Sequence, residues 1–264
     1  MRWASWASRR PSGCEDGRHG LSILGESLAR AGKALARGFR LSYDYLGMVL
    51  VGSSLYFVVG LAPAIVTLTA ALQVPSLLTL LPFLGTVVFL TLPGFTALLA
   101  VSRQLVEGEE VPALRGLWRA FRTHFVKAAG LAGAECLILL ILVADLLFFL
   151  QAGSPVVRAL AGMWVWLLIF ALTVTIWAPA VMVWLGKGVW YALRQSALIV
   201  LDNLVVTWIV VAVLAVLGIV STVLGAPLLL LFGGMSAFLV TAAMEAILDR
   251  YRSLQADGKA GEQR

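Results

Sequence analysis

Six long apolar runs dominate the pattern of hydrophobic and polar positions, and each is long enough to cross a membrane as a helix. A hydrocarbon core about 30 Å thick needs roughly 20 helical residues. The runs are continuous, whereas the strands of a membrane β-barrel alternate apolar and polar residues. The pattern therefore predicts an all-α, polytopic membrane helix bundle, with six transmembrane helices at 46–72, 77–102, 128–151, 156–186, 204–224 and 226–248.

Three amphipathic segments predict helices that lie at the membrane surface on the cytoplasmic side. In 21–42, an apolar stripe and a basic stripe both recur at steps of three and four residues, as in an interfacial helix. Segments 112–125 and 188–202 each join an inward-running span to an outward-running one. The residues expected to face the interface or a partner are Arg115, Trp118, Arg119, Phe121, Arg122 and Arg194.

The remaining polar stretches are the ends of the chain. Residues 1–20 are rich in Arg, Gly and Pro, which predicts a disordered tail. Residues 255–264 are polar and predict a frayed C-terminal tail. The six-helix transmembrane domain is therefore expected to occupy 43–254.

The distribution of positive charge sets the expected orientation. Of the 20 Lys and Arg residues, 19 fall in stretches that would share one side of the membrane, and Arg158 alone falls on the other. Cytoplasmic loops retain basic residues, so both termini are predicted to be cytoplasmic. The net charge of +6 is then explained by topology and by attraction to anionic lipid headgroups, and not by nucleic acid binding.

Sequence motifs for catalysis or metal binding are not found. The chain has only two His and two Cys, and it carries no phosphate-binding loop, zinc motif or nucleophile elbow. Cys14 belongs to the tail and Cys136 to a predicted span, so a disulfide is not expected. We predict no catalytic residue, no metal and no cofactor.

Charged residues within the spans are the best candidates for a site. Glu135 and Asp145 lie in the third predicted helix, and Arg158 begins the fourth. Such residues usually face a bundle interior or a wet cavity, because exposing them to hydrocarbon is costly. One interpretation is a pathway for protons or cations. The other is structural: Glu135 is neutral or hydrogen-bonded, and Asp145 pairs with Arg158.

Two further patterns concern the spans themselves. Four prolines interrupt them and are expected to kink their helices: Pro63, Pro82, Pro93 and Pro179. A short pattern also recurs at a shift of 72 residues, which suggests that spans two–three and four–five are copies of one hairpin. Its members are Trp118, Ala120 and Arg122, matched by Trp190, Ala192 and Arg194.

The stretch from Thr91 to Glu110, TLPGFTALLAVSRQLVEGEE, followed by LWRAFRTHF from Leu117 to Phe125, resembles the YesL family of bacterial membrane proteins. His124 stands where that family usually has Asn, and Pro93-Gly94 reverses the usual order. The resemblance implies a multi-pass protein of the bacterial plasma membrane, often encoded beside genes for carbohydrate uptake and degradation. It transfers no catalytic residue.

Two classes of function are consistent with these observations. The first is an accessory or assembly component without a catalytic site, linked to carbohydrate uptake or utilisation through a membrane transport complex. The second is a small-solute transporter or channel that uses the intramembrane carboxylates. The surroundings of Glu135 discriminate between them, because a continuous polar cavity favours transport and dry packing favours the accessory protein.

Overall fold

A computed structural model of the chain describes residues 17–74, 77–151, 155–224 and 226–262. These residues are almost entirely helical, and no strand occurs among them. The α-helices are α1 (Gly17–Asp44), α2 (Leu46–Tyr56), α3 (Ala62–Gln73), α4 (Leu77–Thr86), α5 (Leu92–Val106), α6 (Ala113–Leu150), α7 (Pro155–Leu185), α8 (Val189–Asp202), α9 (Leu204–Leu224) and α10 (Ala226–Glu262). Two π-helical turns connect α2 to α3 (Phe57–Leu61) and α4 to α5 (Val87–Thr91).

The predicted polytopic helix bundle is confirmed. In the described part of the chain, six helical stretches are long and apolar enough to cross a membrane. They are Leu46–Gln73, Thr79–Val106, Ala113–Leu150, Ala159–Leu185, Leu204–Val223 and Leu230–Ser253. The first two are composite helices, because each contains one of the π turns.

Each π turn lies just before a proline. A proline ring collides with the carbonyl four residues earlier in an α-helix, which is Val59 for Pro63 and Phe89 for Pro93. Both of these residues fall within the π turns, where an extra residue per turn displaces the carbonyl. The helices are thus widened locally at these two prolines and continue past them.

The prediction of a separate interfacial helix at 112–125 is wrong. α6 runs without a break from Ala113 to Leu150, because no proline or backbone turn interrupts the helix between the amphipathic segment and the apolar run. The first turns of α6 have one buried and one exposed face. Leu117 and Ala120 are buried, whereas 61% of the Trp118 surface is exposed.

α1 lies against α10, and whether it also lies at the membrane surface stays a prediction. Its buried face consists of small residues: Ala31, Ala34, Gly38 and Ser42. A Cβ atom added at Gly38 would be 3.0 Å from the Cα of Leu239, so the two helices approach very closely. Small residues allow such backbone contact, which fixes α1 on the bundle.

The predicted tails also differ from the structure. α10 continues to Glu262, so residues 255–262 extend a helix where a frayed tail was expected. α1 begins at Gly17, which makes the end of the expected 1–20 tail helical. Residues 1–16 lie outside the described ranges, as do 263–264.

α10 is the centre of the bundle, and it contacts α1, α2, α5, α7 and α9. Small residues again permit the close approach. A Cβ atom at Gly234 would lie 3.0 Å from the Cα of Val49 and 2.6 Å from the Oγ of Ser53. The last span therefore organises the positions of the others.

The two segments suspected to be copies share a pattern of exposure. Trp118 and Trp190 are exposed, and Ala120 and Ala192 are buried. Their helices differ, however, because α8 ends at Asp202 and α9 starts after Asn203. An internal duplication stays a prediction.

Candidate functional site

Glu135 is the most unusual side chain inside the bundle. It lies on α6 with only 5% of its surface exposed. Both carboxyl oxygens are buried and have no hydrogen-bond partner among the described atoms. A buried carboxyl group without a partner is costly in either protonation state, which makes this position a candidate site.

Glu135 borders a cavity of about 410 Å³ between α6, α7 and α8. α6 and α7 are antiparallel here: Lys127 Nζ donates to Gly186 O at 3.3 Å, and the rings of Phe149 and Trp164 stack 5.7 Å apart. The walls of the cavity are mostly apolar. Their polar members are Glu135, Thr175 and Arg194, and the Thr175 hydroxyl already donates to Ala171 O at 3.0 Å.

The structure brings together two residues that the sequence assigned to different places. Arg194 was expected on an interfacial surface, yet it lines the same cavity as Glu135. Its side chain is exposed, and the two residues do not form an ion pair in this structure. Trp190, one turn before Arg194 on α8, lines the cavity as well.

Asp145 does not share this cavity. It is half-buried and lies ten residues beyond Glu135 on α6, or about 15 Å along the helix. The side chain of Arg158 lies outside the described residues. The predicted pair between Asp145 and Arg158 therefore stays a prediction.

The start of α6 carries exposed basic and aromatic side chains. Arg115, Arg119 and Arg122 are exposed. Trp118 stacks on Phe121 with ring centroids 6.0 Å apart. We call Arg115, Trp118, Arg119 and Arg122 the aromatic–basic face.

Sequence reasoning missed Arg103, which joins the ends of two helices. Its guanidinium donates to Val183 O at 2.8 Å, pairs through Nε with Glu107 at 2.8 Å, and lies 4.7 Å from the centre of the Trp184 ring. The sequence offered one signal for this role: Arg103 stands at the end of an apolar run, four residues before a glutamate. Arg103 fixes the end of α5 against the end of α7.

A second missed cluster surrounds the break between α8 and α9. Asn203 is buried, and its amide donates to the Tyr251 hydroxyl at 3.0 Å. Arg250 Nη1 donates to Oδ1, the side-chain amide oxygen of Asn203, at 2.8 Å. The adjacent Asp202-Asn203 pair between two apolar runs was the signal for the break, but its partners on α10 are distant in sequence.

Comparison with known proteins gives one match. A family model described as "Protein of unknown function, DUF624" matches residues 73–146, which is less than half of the chain. The matched region extends from the end of α3 into α6 and includes Arg103, the aromatic–basic face and Glu135. YesL proteins belong to the DUF624 family. No curated protein and no solved structure matches the chain.

Proposed function

We propose that this chain is a YesL-type accessory protein of a bacterial plasma membrane, which has no catalytic activity of its own and binds a membrane partner. The use of polar groups inside the bundle supports this proposal. The hydroxyls of Ser102 and Thr241 are hydrogen-bonded at 2.7 Å between α5 and α10. Ser53 Oγ donates to Leu231 O at 3.3 Å between α2 and α10. Such hydroxyls hold helices together, which is a structural use of polar groups.

The aromatic–basic face supplies the surface for a partner. Trp118 and Arg119 are exposed, and Trp and Arg are the residue types most enriched at binding hot spots. The face lies within the region that matches the DUF624 model. The YesL resemblance favours a membrane transport complex for carbohydrate uptake or utilisation as the partner.

Site-specific photocrosslinking in intact bacterial membranes tests this proposal. A photoreactive amino acid replaces Arg119 on the aromatic–basic face, and in a matched control it replaces Arg40, an exposed cation of α1. We expect a protein adduct at Arg119 that is absent at Arg40, with the partner identified by mass spectrometry. Changing Arg115, Trp118 and Arg122 to Gln, Ala and Gln should remove the adduct. Equal labelling at both positions would contradict the proposal.

A transporter is the second candidate, and the unpartnered carboxyl group of Glu135 favours it. Purified protein in vesicles that contain a pH-sensitive dye, under an applied membrane potential, distinguishes the two functions. The accessory protein should give the same proton flux as empty vesicles. A flux that disappears in Glu135→Gln, while the variant inserts normally, would establish transport instead.

A further inference from the structure

The cavity beside Glu135 changes in polarity along its length. Lys127, two turns before Glu135 on α6, lies next to the turn between α7 and α8. Glu135 and Thr175 line the part of the cavity nearer that turn, whereas Leu142 and Leu167 line the part farther along α6 and α7. One end of the cavity is therefore polar, and the other offers only hydrocarbon contacts.

The charged residues follow the same direction along the cavity, from the exposed Arg194 to the buried Glu135. Arg194 is exposed and lines the cavity from α8, where its guanidinium can bind an anion from the surface. Glu135 is buried among apolar walls and lacks a hydrogen-bond partner. Trp190 is exposed beside Arg194, and Trp side chains favour the membrane–water interface.

We infer that this cavity binds one anionic glycerophospholipid from the bilayer, with its phosphate on Arg194, an ester carbonyl at Glu135 and an acyl chain along Ile138, Leu142 and Leu167. The three parts of such a lipid match the cavity in chemistry and in order. The phosphate meets the exposed cation, and the ester carbonyl accepts a hydrogen bond from the Glu135 carboxyl group, which donates it in its protonated form. The chain covers apolar side chains of α6 and α7. This inference does not depend on the proposed accessory function.

The Arg194 contact is tested by the selectivity of binding. Purified protein in detergent is titrated with dioleoylphosphatidylglycerol or dioleoylphosphatidylcholine, and the first bound lipid is measured by native mass spectrometry. We expect about tenfold tighter binding of phosphatidylglycerol, because its headgroup has a net negative charge, whereas the choline cation of phosphatidylcholine offsets the phosphate charge and repels the Arg194 guanidinium. Arg194→Gln should abolish this preference, whereas Arg40→Gln, at an exposed cation of α1 away from the cavity, should preserve it. Equal binding of the two lipids by the unmodified protein would overturn the inference.

The Glu135 contact is tested with a dialkyl ether analogue of phosphatidylglycerol, which lacks the ester carbonyls. We expect the protein to bind the ester lipid several-fold more tightly than the ether lipid. Glu135→Leu should remove that difference. Glu135→Gln should retain it, because an amide still donates a hydrogen bond. If Glu135→Leu discriminates ester from ether as the unmodified protein does, the carboxyl group does not contact the lipid and the inference fails.

A cavity-filling variant separates loss of the site from loss of the fold. Ala171→Phe places a ring in the space between α6 and α7, since Ala171 lines the cavity. We expect the first phosphatidylglycerol to bind at least tenfold more weakly, with the protein still monodisperse. Gly162→Phe on the same helix, where an added Cβ meets no atom within 4 Å, is the control. Equal binding by these two variants would place the lipid elsewhere.

Discussion

The Thr91 hydroxyl donates a hydrogen bond of 3.1 Å to the carbonyl oxygen of Gly60. Each residue belongs to one of the two π turns, so the bond joins the first two spans where their helical hydrogen bonding is altered. Gly60 allows the approach, because an added Cβ would lie 3.3 Å from the Thr91 Cα. The widened turns that accommodate Pro63 and Pro93 are thereby packed against each other.

Thr91→Val removes this donor while keeping a branched side chain of similar size. Interhelical hydrogen bonds in bilayers contribute about 0.6 kcal/mol on average and up to about 1.7 kcal/mol, so we expect a loss of about 1 kcal/mol in the free energy of unfolding. Thr69→Val is the control, because its exposed hydroxyl bonds only to Val66 O of its own helix. Reversible unfolding in mixed micelles measures both, and equal losses would show that the bond to Gly60 contributes nothing.

Gly234→Ala should disturb the packing of α2 on α10. The new Cβ would meet the Val49 Cα at 3.0 Å, and a backbone atom can give way only if the helices separate. Overpacking of this kind costs about 1–3 kcal/mol. Gly85→Ala, where no atom lies within 4 Å, should be neutral or slightly stabilising. The thermal unfolding midpoints of the two variants test this prediction. Equal midpoints for Gly234→Ala and Gly85→Ala would refute the close contact.

The ion pair between Arg37 and Glu245 should contribute modestly to the docking of α1. Its nitrogen–oxygen distance is 3.0 Å, and the side chains are 53% and 16% exposed. A pair this accessible to solvent is worth about 0.5–1 kcal/mol. A double-mutant cycle with Arg37→Gln and Glu245→Gln should show that coupling at low salt and less of it at high salt. The ion pair between Arg252 and Asp249, whose side chains are 71% and 61% exposed, should show a smaller coupling energy. A larger coupling energy for this pair than for Arg37 and Glu245 would contradict the prediction.

The orientation predicted from charge is tested by cysteine labelling in intact cells, after Cys14 and Cys136 are replaced by Ser. Cysteines placed at Gln73, Gly153 and Gly225 should react with a membrane-impermeant maleimide. Cysteines at Gly108 and Gly188 should react only after the membrane is opened. Labelling of Gly108 from outside would reverse the orientation, because that turn connects the second and third spans.

The number and approximate position of the spans follow from the sequence, since a hydrocarbon core imposes a minimum apolar length on each helix. The helix that contains the predicted third span begins at Ala113, well before 128, because the amphipathic residues continue into the apolar run as one helix. Hydrophobicity alone does not reveal whether a polar segment bends away from a span or extends it. That choice depends on backbone continuity and on packing against α5.

The sequence pattern also did not predict which face of each helix is buried. In water, the apolar face is the buried face, but lipid is as apolar as the interior of a membrane bundle. Ile219 and Val223 on α9 are consequently exposed, while Thr207 and Ser221 of the same helix are buried. Small side chains and hydroxyl groups, and not the largest apolar residues, determine which helix surfaces meet.

The sequence by itself determined that this protein is a six-span membrane bundle, and it identified Glu135 as an unusual charge within a span. Only the tertiary structure placed Arg194 at the same cavity. The two residues are far apart in the chain, and they meet because α7 returns antiparallel to α6 and α8 then turns back against both. Membrane insertion is decided by the composition of each segment, whereas a site is decided by how separate segments pack.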